Sequence, residues 1–159
     1  MKTVILAGGY GTRLAEYTDK IPKPMVQIGN KPILSHIMNF YQSYGYDEFI
    51  IAAGYKKEVI TEYYKSSKEF KNLNIIDTGE KTMTGGRILR LKSYFDKNEN
   101  FFMTYGDGLC SINLDNLIQF HLKHKKIASV TAVHPPVRFG ELEIKGDDVT
   151  KFEEKPQAS

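Results

Sequence analysis

Strands and helices alternate along this chain, and the alternation predicts an α/β fold with a mostly parallel sheet and helices on both faces. Three observations carry the prediction. Short apolar runs, such as Thr3 to Ala7 and Phe49 to Ala53, read as strands buried on both sides. Segments with apolar residues at helical spacing separate them. Glycine-bearing turns follow the strands at Gly8, Gly54, Gly79 and Gly106.

The elements follow in order. After the first strand and a glycine loop, Glu16 to Pro24 is a polar connection holding two prolines. Met25 to Ile28 reads as a short strand, Gly29 and Asn30 as a turn, and Pro32 suits the first turn of a helix. That helix carries Ile33, Leu34, Ile37, Met38 and Tyr41 and ends near Gly45. Val59, Ile60, Tyr63 and Tyr64 mark the next helix, and Leu73, Ile75 and Ile76 a third buried strand ending at Asp77, Thr78 and Gly79. Ile88, Leu89, Leu91, Tyr94 and Phe95 belong to another helix, and Phe101 to Thr104 to another strand. Asn113 suits the cap of a helix carrying Leu114, Leu117, Ile118 and Leu122. Ser129 to Val133 is strand-like. Glu141 to Ile144 and Val149 to Phe152, flanking Gly146-Asp147-Asp148, read as a hairpin. The 159 residues are taken together as a single domain, enough to bury roughly 70% of the unfolded surface.

Composition excludes several classes. A net charge of +3 with scattered lysines gives little support to nucleic-acid binding. The densest cluster, Lys123 to Lys126, reads as a helix end, where the dipole favours cations. One cysteine, Cys110, allows no intrachain disulfide and fits a reducing compartment. It reads as a small buried residue, not a nucleophile. With no basic-then-apolar leader and no apolar run near the roughly 18 residues of a membrane span, the expected location is the cytoplasm, away from membranes.

The chemistry begins where the first strand ends, at Gly8, Gly9, Tyr10, Gly11, Thr12, Arg13 and Leu14. Successive glycines let main-chain N–H groups converge on one set of oxygens. Thr12 adds a hydroxyl, and Arg13 a fork matched to phosphate. A plain βα turn with a surface arginine is the alternative. Arg13 inside the loop and Lys23 ten residues on favour a phosphate chain. The spacing fits neither a P-loop, which needs Lys after its last glycine, nor a dinucleotide fingerprint, whose third glycine is replaced here by Leu14-Ala15.

Three further segments could share that site. Lys23 lies between Pro22 and Pro24, which stiffen its backbone. Alone it reads as a solvated loop lysine; beside the loop it reads as a second phosphate contact. Thr82, Met83, Thr84, Gly85, Gly86 and Arg87 stand just before a helix, and a ligand cluster and a flexible loop are equally compatible with them. Asp107, between Gly106 and Gly108 at a strand's carboxyl end, suits a magnesium ligand or an ordinary Asp-Gly turn. His36, His121, His124 and His134 show no metal-ligand spacing; His36 reads as structural, His121 and His124 as solvated. Nothing resembles a nucleophile–base triad. Cations and donors without a nucleophile favour transfer of a phosphoryl or nucleotidyl group by positioning and charge neutralisation.

These residues resemble the sugar-phosphate nucleotidyltransferase family. Its signature, Leu-x-Gly-Gly-x-Gly-Thr-Arg-Leu followed by Lys-Pro, matches Leu6 to Leu14 with Lys23 and Pro24. The Asp77-Thr-Gly stretch, the Thr82 to Arg87 cluster and Tyr105-Gly-Asp-Gly resemble the family's cytidylyltransferases more narrowly, and Phe152-Glu-Glu-Lys-Pro fits the wider family. The resemblance implies a Rossmann-like three-layer sandwich of the nucleotide-diphospho-sugar transferase type, incomplete at the C-terminus. It implies that CTP and a sugar 1-phosphate, glucose 1-phosphate, give a CDP-sugar and pyrophosphate by direct attack on the α-phosphorus, in deoxysugar synthesis for surface polysaccharide. By position, Leu6, Ala7, Gly8, Gly9, Tyr10, Gly11, Thr12 and Arg13 would hold the nucleotide, with Thr82, Arg87 and Gly106. Arg13 would neutralise the leaving group, and Lys23 would contact the reacting phosphates. Asp107 would bind Mg2+, and Glu154 and Lys155 the sugar phosphate.

Two departures are expected to matter. The segment from Tyr64 to Asn74 is short against the cytidylyltransferase pattern, which bears on base choice and subunit contacts. Family members also continue past Lys155-Pro156 with sugar contacts and a second metal-binding aspartate. Little turnover is therefore expected from this polypeptide alone, and a homo-oligomer from the complete protein. The competing readings are a thymidylyl-, uridylyl- or guanylyltransferase, a non-catalytic nucleotide-binding module, and a hydride-transferring dinucleotide enzyme.

Overall fold

The computed structural model describes residues 1–10, 21–133 and 140–154. Its main sheet has four parallel strands: β1 (Thr3–Ala7), β4 (Glu48–Ala53), β5 (Asn72–Asp77) and β6 (Phe102–Tyr105), in the order β5-β4-β1-β6. The chain steps outward from β1 through β4 to β5, then returns to the far side of β1 as β6. That reversal makes the carboxyl ends of β1 and β6 the switch point where ligands settle in such sheets.

Both faces of the sheet are covered, which is why the central strands read as unbroken apolar runs; all five residues of β1 are buried. On one face, Val4, Leu6, Ile50 and Ala52 pack with Leu91, Ile76, Ile88 and Phe95. Ile88 belongs to α3 (Thr84–Arg90), and Leu91 and Phe95 follow it. Side chains alternate along a strand, so Thr3, Ile5, Phe49 and Ile51 point to the opposite face. There α1 (Ile33–Ser43) brings Tyr41 against Phe102, and Phe70, following α2 (Lys57–Ser67), stands edge-on to Phe49. Ser35 of α1 and Tyr64 of α2 share a buried hydroxyl contact of 2.9 Å. The buried Thr3 hydroxyl has no hydrogen-bond partner among the described residues.

Several elements differ from the sequence reading. Met25 to Ile28 is not one strand. Lys23–Met25 forms a 3-10 turn, and only β2 (Gln27–Ile28) pairs, antiparallel with β3 (Lys31–Pro32). The prolines around Lys23 favour the tight turn over a ladder. Pro32 caps α1 instead of lying inside it. Helix α3 begins at Thr84, so Gly85, Gly86 and Arg87 lie within it, and Lys92–Tyr94 is a separate 3-10 turn. Ser129 to Val133 forms no strand: Val130 and Val133 are exposed, so burial does not reward pairing there. Cys110 is exposed, in the stretch after β6 that also exposes Leu109.

The chain divides into two compact units, Met1–Asn116 and Leu117–Ser159. Helix α4 (Leu114–His124) runs across the division, and Asn113 caps it, its side-chain oxygen accepting the Asn116 N–H at 2.9 Å. In the second unit, β7 (Glu141–Lys145) and β8 (Asp148–Glu153) form an antiparallel hairpin exposed on both sides. His121 and His124 both bond the Ser129 hydroxyl, at 2.9 and 2.7 Å, so they are partnered and not merely solvated. His36 bonds the Ile28 carbonyl at 2.9 Å, the structural role expected of it. No helix among the described residues is long and apolar enough to cross a membrane.

Candidate active site

A cavity of about 360 Å³ opens at the switch point. Leu6, Ala7, Gly8, Gly9 and Tyr10 line it from the end of β1, Lys23 and Pro24 from the 3-10 turn, and Tyr105, Gly106 and Asp107 from the end of β6. Glu80, Lys81, Thr82, Met83, Thr84 and Arg87 close it from the β5–α3 side. The turns after β1 and β6 thus converge with the segment that follows the Thr78–Gly79 turn. A larger depression, about 460 Å³, lies at the opposite, amino end of β4 and β5, lined by Lys2, Asp47, Lys71 and Asn72 among others. It contains none of the expected residues and sits at the end of the sheet where such folds do not place ligands.

The rim is tied together locally. Gly106 donates its N–H to the Leu6 carbonyl at 2.9 Å, extending the β1–β6 pairing one residue past the ladder. A Cβ at Gly106 would stand 2.8 Å from Pro24 Cγ, so the absence of a side chain lets the proline turn close against β6. That contact places Lys23 over Asp107, and Nζ and Oδ2 form an ion pair of 2.6 Å. The two side chains stay 28% and 36% exposed, so the pair sits at the cavity mouth, within reach of a solute.

Arg87 is the most deeply engaged group. Only 5% exposed, it donates from Nη2 to the carbonyls of Gly8 at 2.8 Å and Glu80 at 3.1 Å. From Nη1 it donates to the Thr78 hydroxyl at 2.7 Å and the Ala53 carbonyl at 3.3 Å. Thr78 in turn donates its hydroxyl proton to the Ala53 carbonyl at 2.7 Å. All four acceptors are neutral. Burial and then neighbouring Arg90 push the Arg87 pKa below its ordinary value. Arg90 itself donates to the Thr78 carbonyl at 2.6 Å.

Of the expected site residues, Leu6, Ala7, Gly8, Gly9, Tyr10, Lys23, Thr82, Arg87, Gly106 and Asp107 meet in this cavity. Gly11, Thr12, Arg13 and Lys155 lie outside the described residues. Glu154 follows β8 in the second unit. Sequence reasoning did not list Pro24 and Tyr105, which line the cavity, or Gly54, which packs against Arg87, as site residues. Gly54 offered the clearest signal, a glycine closing a buried strand; a Cβ there would stand 2.7 Å from Arg87 Nη1.

For metal binding the fit is partial. The cavity holds Asp107 as a hard carboxylate at a strand's end, and magnesium is commonly held by one or two carboxylates plus phosphate oxygens and water. Among the described residues no cluster of three or more His, Cys, Asp or Glu could hold a metal by itself. Asp107, with Glu80 also on the lining, therefore suits a metal that arrives with a phosphate ligand.

A parallel sheet with a glycine turn, a lysine and an aspartate at its switch point defines an α/β protein with a cavity where such folds place ligands. Comparison with known proteins narrows the class. Residues 2–159 match the nucleotidyl transferase family, and the chain belongs to that family. It is 44% identical over 179 aligned positions to a glucose-1-phosphate cytidylyltransferase of Salmonella typhimurium, covering 99% of this chain and 70% of that one. It is 43% identical to a probable glucose-1-phosphate cytidylyltransferase of Bacillus subtilis, covering 98% of this chain and 69% of that one. Among solved structures, HddC from Yersinia pseudotuberculosis complexed with GMP-PN superposes with a TM-score of 0.70 at 29% identity, over 98% of this chain and 70% of that one. The 179 aligned positions exceed the 159 residues here, so the Salmonella relative carries residues within the matched span that this chain lacks. The sequence reading puts that difference between Tyr64 and Asn74, a segment that here runs from the end of α2 into β5.

Proposed function

We propose that this protein is a nucleotidyltransferase that joins CTP and glucose 1-phosphate into CDP-glucose, releasing pyrophosphate. The observation that carries the reading is the meeting of the Gly8–Tyr10 turn, Lys23 and Asp107 in one cavity, within a chain 44% identical to a cytidylyltransferase. Among the described residues the cavity lining includes no histidine or cysteine. This favours direct displacement, in which a phosphate oxygen of the sugar phosphate bonds to the α-phosphorus as the α–β bridging oxygen leaves with pyrophosphate. No covalent enzyme intermediate is needed.

Each group then has a task. The Gly8–Tyr10 main chain, with Arg13, holds the triphosphate, and Arg13 neutralises charge on the leaving pyrophosphate. Lys23 contacts the reacting phosphates, and positioning plus charge neutralisation lower the barrier. Asp107 would hold a magnesium ion, which would draw charge from the phosphate oxygens. Thr82 and Gly106 border the nucleotide, and Glu154 and Lys155 contact the sugar phosphate. The same reading places the protein in the cytoplasm, as a homo-oligomer, supplying a precursor for surface polysaccharide.

The test is a thermal-shift series with CTP, UTP, dTTP and GTP, each with magnesium, beside an assay for CDP-glucose and pyrophosphate. A ligand that binds the folded state raises its stability, and CTP should give the largest rise. A clear preference for dTTP, UTP or GTP would replace the base assignment. Absence of any nucleotide effect would remove the enzyme reading and leave the family's fold alone.

A further inference from the structure

The glycine turn after β1 has little of its own to hold it. Glycine is conformationally permissive, and a Cβ at Gly9 would meet no atom within 4 Å among the described residues. Packing therefore does not fix the middle of the turn. Its two ends are tied, and one residue of the β4–α2 connection touches both. Tyr55 donates its main-chain N–H to the Gly8 carbonyl at 3.3 Å. Its ring meets the Tyr10 ring, with centroids 5.1 Å apart and planes tilted by 47°, within the range of an attractive aromatic pair. Arg87 Nη2 also donates to the Gly8 carbonyl, at 2.8 Å; the Tyr10 end rests on Tyr55.

The β4–α2 connection is itself held in a demanding conformation. Lys57 donates its N–H to the Gly54 carbonyl at 3.1 Å, closing a four-residue turn. Lys56, third in that turn, has φ 51° and ψ 39°. Left-handed backbone is unfavourable for a residue with a Cβ, and it persists where surrounding contacts hold it. Lys56 Nζ lies 5.0 Å from the Tyr55 ring centroid, within cation–π range. Tyr55 is thus engaged by its own neighbour and in turn engages a residue of the cavity wall, since Tyr10 is 42% exposed and lines the cavity. The signature Leu-x-Gly-Gly-x-Gly leaves position 10 open, so the family pattern does not require a ring there.

We propose that Tyr55 is a positioning residue: its ring, backing Tyr10, keeps the glycine turn in the arrangement that receives the ligand's phosphates. The inference rests on the nucleotidyltransferase reading of this cavity and adds to it a residue that the resemblance does not assign. Tyr55 is not among the described residues that line the cavity, so it acts through Tyr10. A turn released from the ring samples other arrangements, and the apparent affinity falls with the fraction that stays competent. The contact is between rings, so phenylalanine should serve at position 55 where alanine does not.

The experiment is a double-mutant cycle on CTP-magnesium affinity by calorimetry, with Tyr10→Ala, Tyr55→Ala and the double variant, each checked for folding by circular dichroism. Tyr55→Ala keeps the main-chain N–H, so the ring alone is removed. Each single change should weaken binding by about threefold to tenfold, the scale of one aromatic pair. The double variant should be no weaker than the worse single one. Tyr55→Phe should restore the wild-type affinity. Inorganic triphosphate with magnesium, titrated in parallel, should lose the same factor in Tyr55→Ala as CTP does. Losses that multiply in the cycle, an undiminished affinity in Tyr55→Ala, or no rescue by phenylalanine would each overturn the proposal. So would a loss for CTP that inorganic triphosphate does not share, because the ring would then serve the base and not the phosphates. If Tyr55→Ala fails to fold, Tyr55→Leu, which keeps an apolar side chain without the ring, takes its place. Failure of the wild type to bind any of CTP, UTP, dTTP or GTP would instead strike the functional reading itself.

Discussion

Replacing Lys23 with methionine should have opposite effects on the two ligands of the cavity. Lys23 Nζ lies 2.6 Å from Asp107 Oδ2, so the lysine engages the carboxylate proposed to hold the metal. At that separation the Coulomb attraction is about 1.6 kcal/mol in bulk water and several-fold larger at an effective protein dielectric near 20. With side chains 28% and 36% exposed, solvent screening and lost side-chain freedom pull the net value down. Exposed pairs of this kind retain roughly 1 kcal/mol or less. Freeing Asp107 should therefore tighten metal binding to the nucleotide-free protein by about fivefold. The same change removes a cation from the phosphates and should weaken CTP binding. Titration of Mn2+, followed by its electron paramagnetic resonance signal with and without CTP, separates the two. Asp107→Asn serves as the control and should abolish the tight Mn2+ component. In the wild type, CTP should strengthen Mn2+ binding by drawing Lys23 away, and in Lys23→Met that coupling should fall. If Lys23→Met binds Mn2+ no more tightly than the wild type without nucleotide, the ion pair does not guard the metal ligand.

Other predictions follow from the packing around the site. Gly106→Ala pushes a methyl into the rigid Pro24 ring, where Cγ would lie 2.8 Å away; overpacking of this kind costs about 1–3 kcal/mol, read as a lowered urea midpoint, and the CTP-induced rise in melting temperature should shrink with it. Phe49→Ala removes a ring that is 1% exposed and stands edge-on to Phe70; a loss of about 3–5 kcal/mol is expected in denaturant titration. For pH, burial raises the Glu69 carboxyl pKa, but the hydrogen bonds from Lys31 and Ser35 outweigh it and leave the pKa below its ordinary 4.5. A depressed folded-state pKa gives stability that is present above 4.5 and lost as pH falls through the lower folded value. Glu69→Gln should flatten the acid limb of the stability curve and leave its slope near neutrality unchanged, as chemical denaturation across pH would show.

Much of the fold could be read from the chain because burial on both faces leaves a local mark. Thr3 to Ala7 and Phe49 to Ala53 are unbroken apolar runs since β1 and β4 lie between two layers, and α1 announces its buried stripe at helical spacing. Where burial is absent the signal misled: Ser129 to Val133 has strand-like composition, yet Val130 and Val133 meet water and no ladder forms. The 3-10 turn at Lys23 was hidden for a different reason, since its closure depends on Gly106, distant in sequence, accepting the Pro24 ring.

The residue types of the site were fixed locally, because a glycine turn after a strand, a lysine between prolines and an aspartate between glycines each declare their chemistry within a few positions. Their convergence was not. It depends on β6 returning beside β1, a long-range pairing that the order of elements permits but does not require. The largest change in meaning falls on Arg87. In the sequence it is one more phosphate-matched cation; in the folded chain three strand ends bring neutral acceptors around it, the Gly8 carbonyl of the glycine loop among them. Hydrogen-bond partners separated by 34 and 79 residues are set by topology, so only the tertiary structure could decide what that side chain touches.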